Sequence, residues 1–139
     1  MCRHTTMVAQ LGDYQYLAYC EHSTIHLGWR YGTFHLQPVD FLRIVCLLER
    51  MAVEPDLTEI KDEGRCCLIR QQNGCCQLWL GNALLFLTPA DLLKLLELLR
   101  LAIPRLGHIL VDGLDWPEGV PQSYGGISQG LSGASFGVN

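Results

Sequence analysis

The sequence has few charged residues and no basic segment. Of its 139 residues only 17% are charged, and the net charge is −4 at pH 7. A nucleic-acid-binding protein needs a concentrated Lys/Arg surface to neutralise phosphates, so we expect no nucleic-acid partner. Apolar residues make up 49% of the chain. That is more apolar surface than so few charges easily cover, and it favours self-association.

The sequence also lacks a long apolar run and an export signal. The longest apolar stretch, 92–103, is interrupted by Lys94, Glu97 and Arg100, whereas a membrane-spanning helix needs about 18 apolar residues. Residues 1–10 show no charged start followed by an apolar core. We therefore expect a cytoplasmic protein that does not enter a membrane. Its seven cysteines would stay reduced and serve as core residues or metal ligands.

Motifs that bind phosphates or expose a nucleophile are missing as well. The sequence contains no Gly-x-x-x-x-Gly-Lys-[Ser/Thr] loop and no Gly-x-Gly-x-x-Gly after a strand. The run Gly125–Gly130 lies in a Gly-rich tail, without the strand and helix that would make it a nucleophile elbow. These absences favour a non-catalytic protein.

An internal repeat appears when the sequence is shifted by 51 positions against itself. Its strongest match is Pro-x-Asp-[Phe/Leu]-Leu-[Arg/Lys], which begins at Pro38 and again at Pro89. Three strand-like runs precede each match. We predict an α+β fold made by internal duplication of a βββα unit, in which two apolar helices cover an antiparallel sheet. Repeat one spans about 14–51 and repeat two about 66–102.

Local signals predict where the elements of repeat two begin and end. Asn73-Gly74 is the preferred type I′ hairpin dipeptide, and Thr88 caps a helix that Pro89 opens. Pro104 predicts that this helix ends near Ala102. The helix of repeat one has a poor cap. An extra strand is predicted at 108–111, where the domain 1–111 ends.

Both predicted helices are apolar around most of their circumference. A helix with a single polar stripe must pack on two sides. We expect one side to cover the sheet and the other to meet the sister helix or the second subunit of a homodimer.

Two segments lie outside the repeats. Residues 52–65 read as an acidic, solvated connector, and residues 112–139 form a tail rich in Gly, Ser and Pro. Such a tail cannot build its own core. Its scattered apolar residues could dock on a protein partner. The alternative is a tail that is flexible or that merely wraps its own domain.

Two Cys-x-His pairs mark a candidate metal site. Cys2 and His4 are separated from Cys20 and His22 by fifteen residues, and together they have the ligand number and type of a structural zinc site. Cys20 and His22 lie at the predicted tip of a hairpin, beside which the N-terminal arm can fold. The alternative is an exposed arm with incidental histidines and a Cys20 that packs as a small apolar residue.

Other cysteines and histidines are weaker candidates. The doublets Cys66-Cys67 and Cys75-Cys76 cannot meet one ion, because the predicted hairpin places Cys67 opposite Leu80, far from the turn. They are expected to be core or surface residues. His26 and His35 are predicted to pair across two strands, which gives either a transition-metal site or two side chains on a solvated face.

A resemblance extends over residues 1–51. The segment has Cys-x-His near its start and then a second Cys-x-His, followed by Ile-x-Leu-x-Trp, a Gly turn, Leu and Asp-Phe. This pattern resembles small uncharacterised bacterial proteins of a domain-of-unknown-function family. Such families more often carry Cys-x-x-Cys in the second half of the motif. The resemblance implies a metal knuckle on a small β-rich unit and implies no activity.

These observations favour a non-catalytic binding or assembly protein that a structural zinc ion stabilises. One alternative is a small metalloenzyme or thiol-redox protein that uses Cys2, His4, Cys20 and His22. A second alternative is a small-molecule sensor with a ligand held between helices and sheet.

Overall fold

A computed structural model describes residues 2–30, 32–61 and 66–111, with the backbone alone for 108–111. The described elements form two units of the same order. The first unit consists of β1 (Thr5–Gly12), β2 (Gln15–Cys20), β3 (Ile25–Trp29), β4 (Gly32–Leu36) and α1 (Pro38–Val53). The second consists of β5 (Glu59–Lys61), β6 (Cys66–Arg70), β7 (Cys76–Leu80), β8 (Ala83–Leu87) and α2 (Pro89–Val111).

Each unit contributes one antiparallel four-stranded sheet, with strands in the order β1-β2-β3-β4 and β5-β6-β7-β8. The α+β class and the duplication are therefore confirmed. Each copy has one strand more than predicted, because β1 and β5 precede the three expected strands. The three-residue β5 lies in a segment whose acidic side chains gave no strand signal.

Predictions for the end of the second helix are wrong. Helix α2 does not stop near Ala102 but continues through Pro104 to Val111, so the extra strand expected at 108–111 is helical. Proline removes one helical hydrogen bond, but Ile103 and Leu106 are buried on either side of it. Tertiary contacts therefore outweigh the local signal.

Strand registers decide which side chains meet. His26 lies opposite His35, as predicted. In the second unit Cys67 lies opposite Trp79 rather than Leu80, because the turn is one residue longer than a type I′ turn. The Gly74 amide donates to the Gln71 carbonyl at 3.0 Å, and Gly74 has a φ of 88°, a conformation that glycine adopts without strain.

The corrected register still keeps the cysteine doublets apart. Cys66 lies opposite Leu80 and Cys76 lies opposite Arg70. These buried thiols are therefore separated by about 13 Å along the ladder at ~3.3 Å per residue. Both thiols are almost fully buried. They act as small core residues rather than as ligands of one shared ion.

One continuous core joins the two units. The helices contact each other, so the sister helix covers the second side that the sequence left open. Helix α1 packs on β6 of the second unit as well as on β4, and α2 packs on β1 and β2 of the first unit as well as on β8. Each helix therefore buries apolar side chains against both sheets. Among the described residues, no helix combines the length and apolar content needed to cross a membrane.

The start of α2 is held by a capping box. The Asp91 amide donates to Thr88 Oγ1 at 3.1 Å, and the Thr88 amide donates back to the Asp91 carboxylate at 3.3 Å. Arg30 of the first unit donates to the same carboxylate at 2.6 Å. Burial alone would raise the pKa of Asp91, but the bonds from Thr88 and Arg30 hold it below its usual value. This ion pair joins the two units.

Candidate metal site

The candidate site lies at the tip of the β2–β3 hairpin. The tip is closed by two backbone bonds: the Cys20 amide donates to Thr24 at 3.2 Å, and the Ser23 amide donates to Cys20 at 3.1 Å. Ala18 pairs with His26 across the ladder. Because alternate residues of a strand share a face, Cys20 and His26 project from the same side of the sheet. The hairpin therefore presents Cys20, His22 and His26 together.

Glu21 holds the N-terminal arm against this tip. Both oxygens of its carboxylate accept the backbone amides of Arg3, at 3.0 and 3.1 Å, and of His4, at 3.3 Å. The Glu21 amide in turn donates to the His4 carbonyl at 3.3 Å. These bonds, that of Arg3 above all, hold the pKa of the Glu21 carboxyl below its usual value. The clamp places Cys2 beside Cys20.

The ligand atoms of Cys2, Cys20, Glu21 and His22 all lie within 4.8 Å of one another. Cys2 Sγ is 3.5 Å from His22 Nδ1, and Cys20 Sγ is 3.9 Å from the same nitrogen. This group could hold a metal ion. Three of the four ligands predicted from the sequence are therefore brought together.

The fourth predicted ligand, His4, is not part of this group. Its backbone takes part in the Glu21 clamp instead. His26 was not predicted to join the cysteines, but Cys2 Sγ lies 3.4 Å from His26 Nε2. The pairing of β2 with β3 could have revealed this ligand, since it places His26 diagonally across from Cys20. His35, paired with His26, has its ring centroid 4.6 Å away in an edge-to-face arrangement.

The spacing of these donors fits tetrahedral zinc. Bond lengths of about 2.3 Å to sulfur and about 2.0–2.1 Å to nitrogen, at tetrahedral angles, separate a sulfur and a nitrogen by about 3.6 Å. Three of the four sulfur–nitrogen pairs are close: Cys2–His26 at 3.4 Å, Cys2–His22 at 3.5 Å and Cys20–His22 at 3.9 Å. His26 is not among the residues whose ligand atoms all lie within 4.8 Å of one another, so it would have to move closer to complete a tetrahedral set. Glu21 fits less well as a ligand, because both of its oxygens already accept amides.

The two thiols differ in acidity. Burial by itself raises the pKa of Cys20, but hydrogen bonds from Cys2, from His26 and from the backbone of His22 and Thr24 lower it to about 6. The bond shared with Cys20, together with burial and nearby negative charge, raises the pKa of Cys2. Cys20 therefore tends towards the thiolate that a metal requires.

The second unit does not repeat the site. At the shift of 51 positions, Gln71 replaces Cys20, Asn73 replaces His22 and Gln77 replaces His26. Both units keep two strands joined by a hairpin, whereas the donors at these three equivalent positions are sulfur and imidazole in the first unit and amide side chains in the second. This difference separates the residues that build the fold from those that build the site.

A cavity between the two units bears on the small-molecule alternative. It measures about 40 Å³ and is lined by His35, Leu36 and Asp40 of the first unit and by Cys66, Leu80 and Gly81 of the second. Pockets for drug-sized ligands are roughly 300–1,000 Å³. This space suits a few water molecules. A more open pocket of about 420 Å³ lies on the first unit, lined by Gly12, Asp13, Tyr14, Gln15 and Arg30, so pocket size does not decide against a small-molecule ligand.

Comparisons with protein-family models, with curated proteins and with solved structures give no match for this chain. The resemblance to small uncharacterised bacterial proteins therefore stays a prediction, and the residues of the site are the basis for any functional proposal.

Proposed function

We propose that this chain is a non-catalytic binding or assembly protein whose N-terminal arm is fixed by a structural zinc ion. The ligands are Cys2, Cys20, His22 and His26. The observation that carries the proposal is the position of Cys2 Sγ, 3.5 Å from His22 Nδ1 and 3.4 Å from His26 Nε2, with Cys20 Sγ 3.9 Å from the same His22 nitrogen. This donor set has the number and type of ligands found in closed zinc sites.

The proposed role is structural because the protein supplies all four ligands. A catalytic zinc ion keeps one position for water or substrate, and a set of two thiolates and two imidazoles leaves none. Glu21 supports the site from outside. Its carboxylate orients the arm through the Arg3 and His4 amides, as outer-shell groups commonly orient metal ligands.

Fixing the arm has a mechanical consequence for the fold. The arm leads directly into β1, an edge strand of the first sheet. Arg105 of α2 donates to the Val8 carbonyl in β1 at 2.6 Å. A metal bound at Cys2 would therefore anchor the strand on which the second unit's helix rests, and binding energy would become folding energy.

The test compares two histidine variants, His26→Gln and His4→Gln. Zinc content of protein purified without chelator or affinity metal would be measured by elemental analysis, and zinc affinity by competition with a chelating dye. We expect about one zinc per chain in the native protein. His26→Gln should lose more affinity than the roughly 10–100-fold that loss of an outer-shell group costs. His4→Gln, the matched control, should keep the native affinity.

Cobalt substitution gives a second readout. Tetrahedral Co²⁺ with two thiolate ligands absorbs strongly in the visible and near-ultraviolet, and Cys20→Ser should remove much of the thiolate band. Glu21→Gln should keep the spectrum but weaken binding by roughly 10–100-fold. Zinc-free native protein, or equal losses in the two histidine variants, would contradict the assigned ligand set.

A further inference from the structure

We infer that Cys2 and Cys20 also form a peroxide-sensitive pair, in which oxidation to a disulfide releases the metal and keeps the arm tied to the hairpin. This inference rests on the proposed zinc site, since it describes how that site would be regulated. The two sulfurs would hold the N-terminal arm either as zinc ligands or as a disulfide, and the two states exclude each other.

The geometry that supports the inference is the close approach of the two sulfurs. Both belong to the group of ligand atoms within 4.8 Å of one another. A disulfide needs a sulfur–sulfur distance of about 2.05 Å. The remaining movement is small, and it falls on Cys2, at the end of an arm that is held mainly through backbone bonds at Arg3 and His4.

The two sulfurs also differ in access to solvent. Cys20 is 1% exposed, whereas Cys2 is only partly buried. A small oxidant therefore reaches Cys2 first, and Cys20 lies behind it as the resolving partner. Redox-sensor cysteines are accessible and often lie next to a resolving cysteine; here Cys2 provides the accessible sulfur and Cys20 the second one.

The chemistry balances with hydrogen peroxide as the oxidant. Bound zinc would hold both cysteines as thiolates. The Cys2 thiolate attacks one oxygen of the peroxide, the O–O bond breaks, and Cys2 becomes a sulfenic acid while hydroxide leaves. The Cys20 thiolate then attacks the Cys2 sulfur, forms the S–S bond and displaces a second hydroxide. Two protons convert the two hydroxides to water. The sulfurs lose two electrons in all, and the peroxide gains them.

The consequence for the metal follows from its ligands. A disulfide is a poor ligand compared with two thiolates, so the two remaining imidazoles of His22 and His26 no longer hold zinc tightly. The arm stays attached because the new bond links Cys2 to Cys20 directly. Oxidation would thus replace the attachment of the arm through four metal ligands by a covalent bond, and the two histidines would no longer share a metal with sulfur.

The experiment treats zinc-loaded protein with a small excess of hydrogen peroxide. Zinc release would be followed with a chromogenic chelator, and disulfides would be mapped by mass spectrometry of peptides prepared without reductant. We expect about one zinc released per chain at the same rate as a Cys2–Cys20 linked peptide appears. A thiol reductant added with zinc should restore the metal-bound form.

Controls separate this inference from the proposed function. Cys67→Ser, at a partly buried thiol outside the site, should release zinc and form the disulfide as the native protein does. Zinc that stays bound while Cys2 and Cys20 are recovered as thiols would overturn the redox inference alone. Zinc release with Cys2 and Cys20 recovered only as sulfinic acids would also overturn the redox inference alone. Native protein without zinc would overturn the proposed function and this inference together.

Discussion

Gly28 in β3 is covered by an aromatic side chain of the neighbouring strand β2. The ring of Tyr16 lies over it, and a Cβ atom built at Gly28 would be 2.1 Å from Tyr16 Cε2. Tyr16 and Gly28 are direct partners across β2 and β3. Glycine usually weakens a strand, but here its missing side chain makes room for the aromatic ring.

We predict that Gly28→Ala destabilises the protein by about 1–3 kcal/mol, the range typical of overpacking. The physical reason is that the methyl group must displace the Tyr16 ring from its place on the sheet. Urea unfolding followed by circular dichroism would measure the change in free energy of unfolding.

A double-mutant comparison tests the cause of this loss. In a Tyr16→Ala background, Gly28→Ala should cost much less, because the clashing ring is absent. Gly12→Ala is a matched control, since a Cβ there meets no atom within 4 Å. An equal cost for Gly28→Ala in both backgrounds would contradict the steric explanation.

The site residues show what spacing can and cannot reveal. Cys2, Cys20 and His22 could be selected from the sequence because two Cys-x-His pairs suggest a zinc ligand set. His26 could not be chosen over His4 in the same way, because its relation to Cys20 depends on the register of two strands. The predicted pairing of His26 with His35 concerns β3 and β4, whereas the position of His26 relative to Cys20 is set by the pairing of β2 with β3.

At the scale of elements, the two helices differ most at their first turns. Thr88 gives α2 a side-chain cap, whereas Gln37, at the position equivalent by the shift of 51, makes no cap bond. Gln37 nevertheless has the extended backbone of a cap residue, with φ −77° and ψ 155°. Asp40 already occupies the position that corresponds to Asp91.

We predict that Gln37→Thr stabilises the protein by about 1 kcal/mol, because a threonine hydroxyl would accept the Asp40 amide as Thr88 accepts the Asp91 amide. Thr88→Ala should destabilise it by a similar amount. Thermal and urea unfolding would measure both changes. Gln37→Ala is the control without a capping oxygen, and a gain equal to that of Gln37→Thr would rule out the capping explanation.

Local signals predicted most elements but not all of their ends. Pro38, Pro89 and Thr88 marked both helix starts, because these preferences act within one turn. Pro104 misled the prediction of the α2 end, because burial of the residues around it lies outside any local pattern. Strand β1 was missed for a related reason, since its pairing with β2 contains two register shifts that blur the alternation of buried and exposed residues.

At the scale of the whole molecule, helix α2 leaves apolar side chains in contact with water. Leu93 is 58% exposed and Leu101 is 50% exposed. Most of the apolar surface of the helices is covered within the chain, by the sister helix and by both sheets. The homodimer expected from the composition stays a prediction. Among the helix residues whose side chains are described, Val53 at the end of α1 is exposed as well, but the two leucines lie on one helix eight residues apart and are the candidates for its interface.

We predict that light scattering at tens of micromolar protein finds twice the 15.6 kDa mass of one chain, because association would remove these leucines from water. Leu93→Glu with Leu101→Glu should shift the protein to single chains without loss of folded structure. Lys94→Glu on the same helix is the charge control. A native protein of single-chain mass would contradict the predicted dimer.

The packing of each helix on both sheets has a consequence for the history of the chain. A single unit released from its neighbour would expose the helix face that the other sheet now covers, and a second copy of the same unit could cover it again. The chain therefore has the geometry of two associated ancestors fused end to end. After fusion, one half could keep sulfur and imidazole donors at its hairpin while the other half, with glutamine and asparagine there, specialised in supporting it.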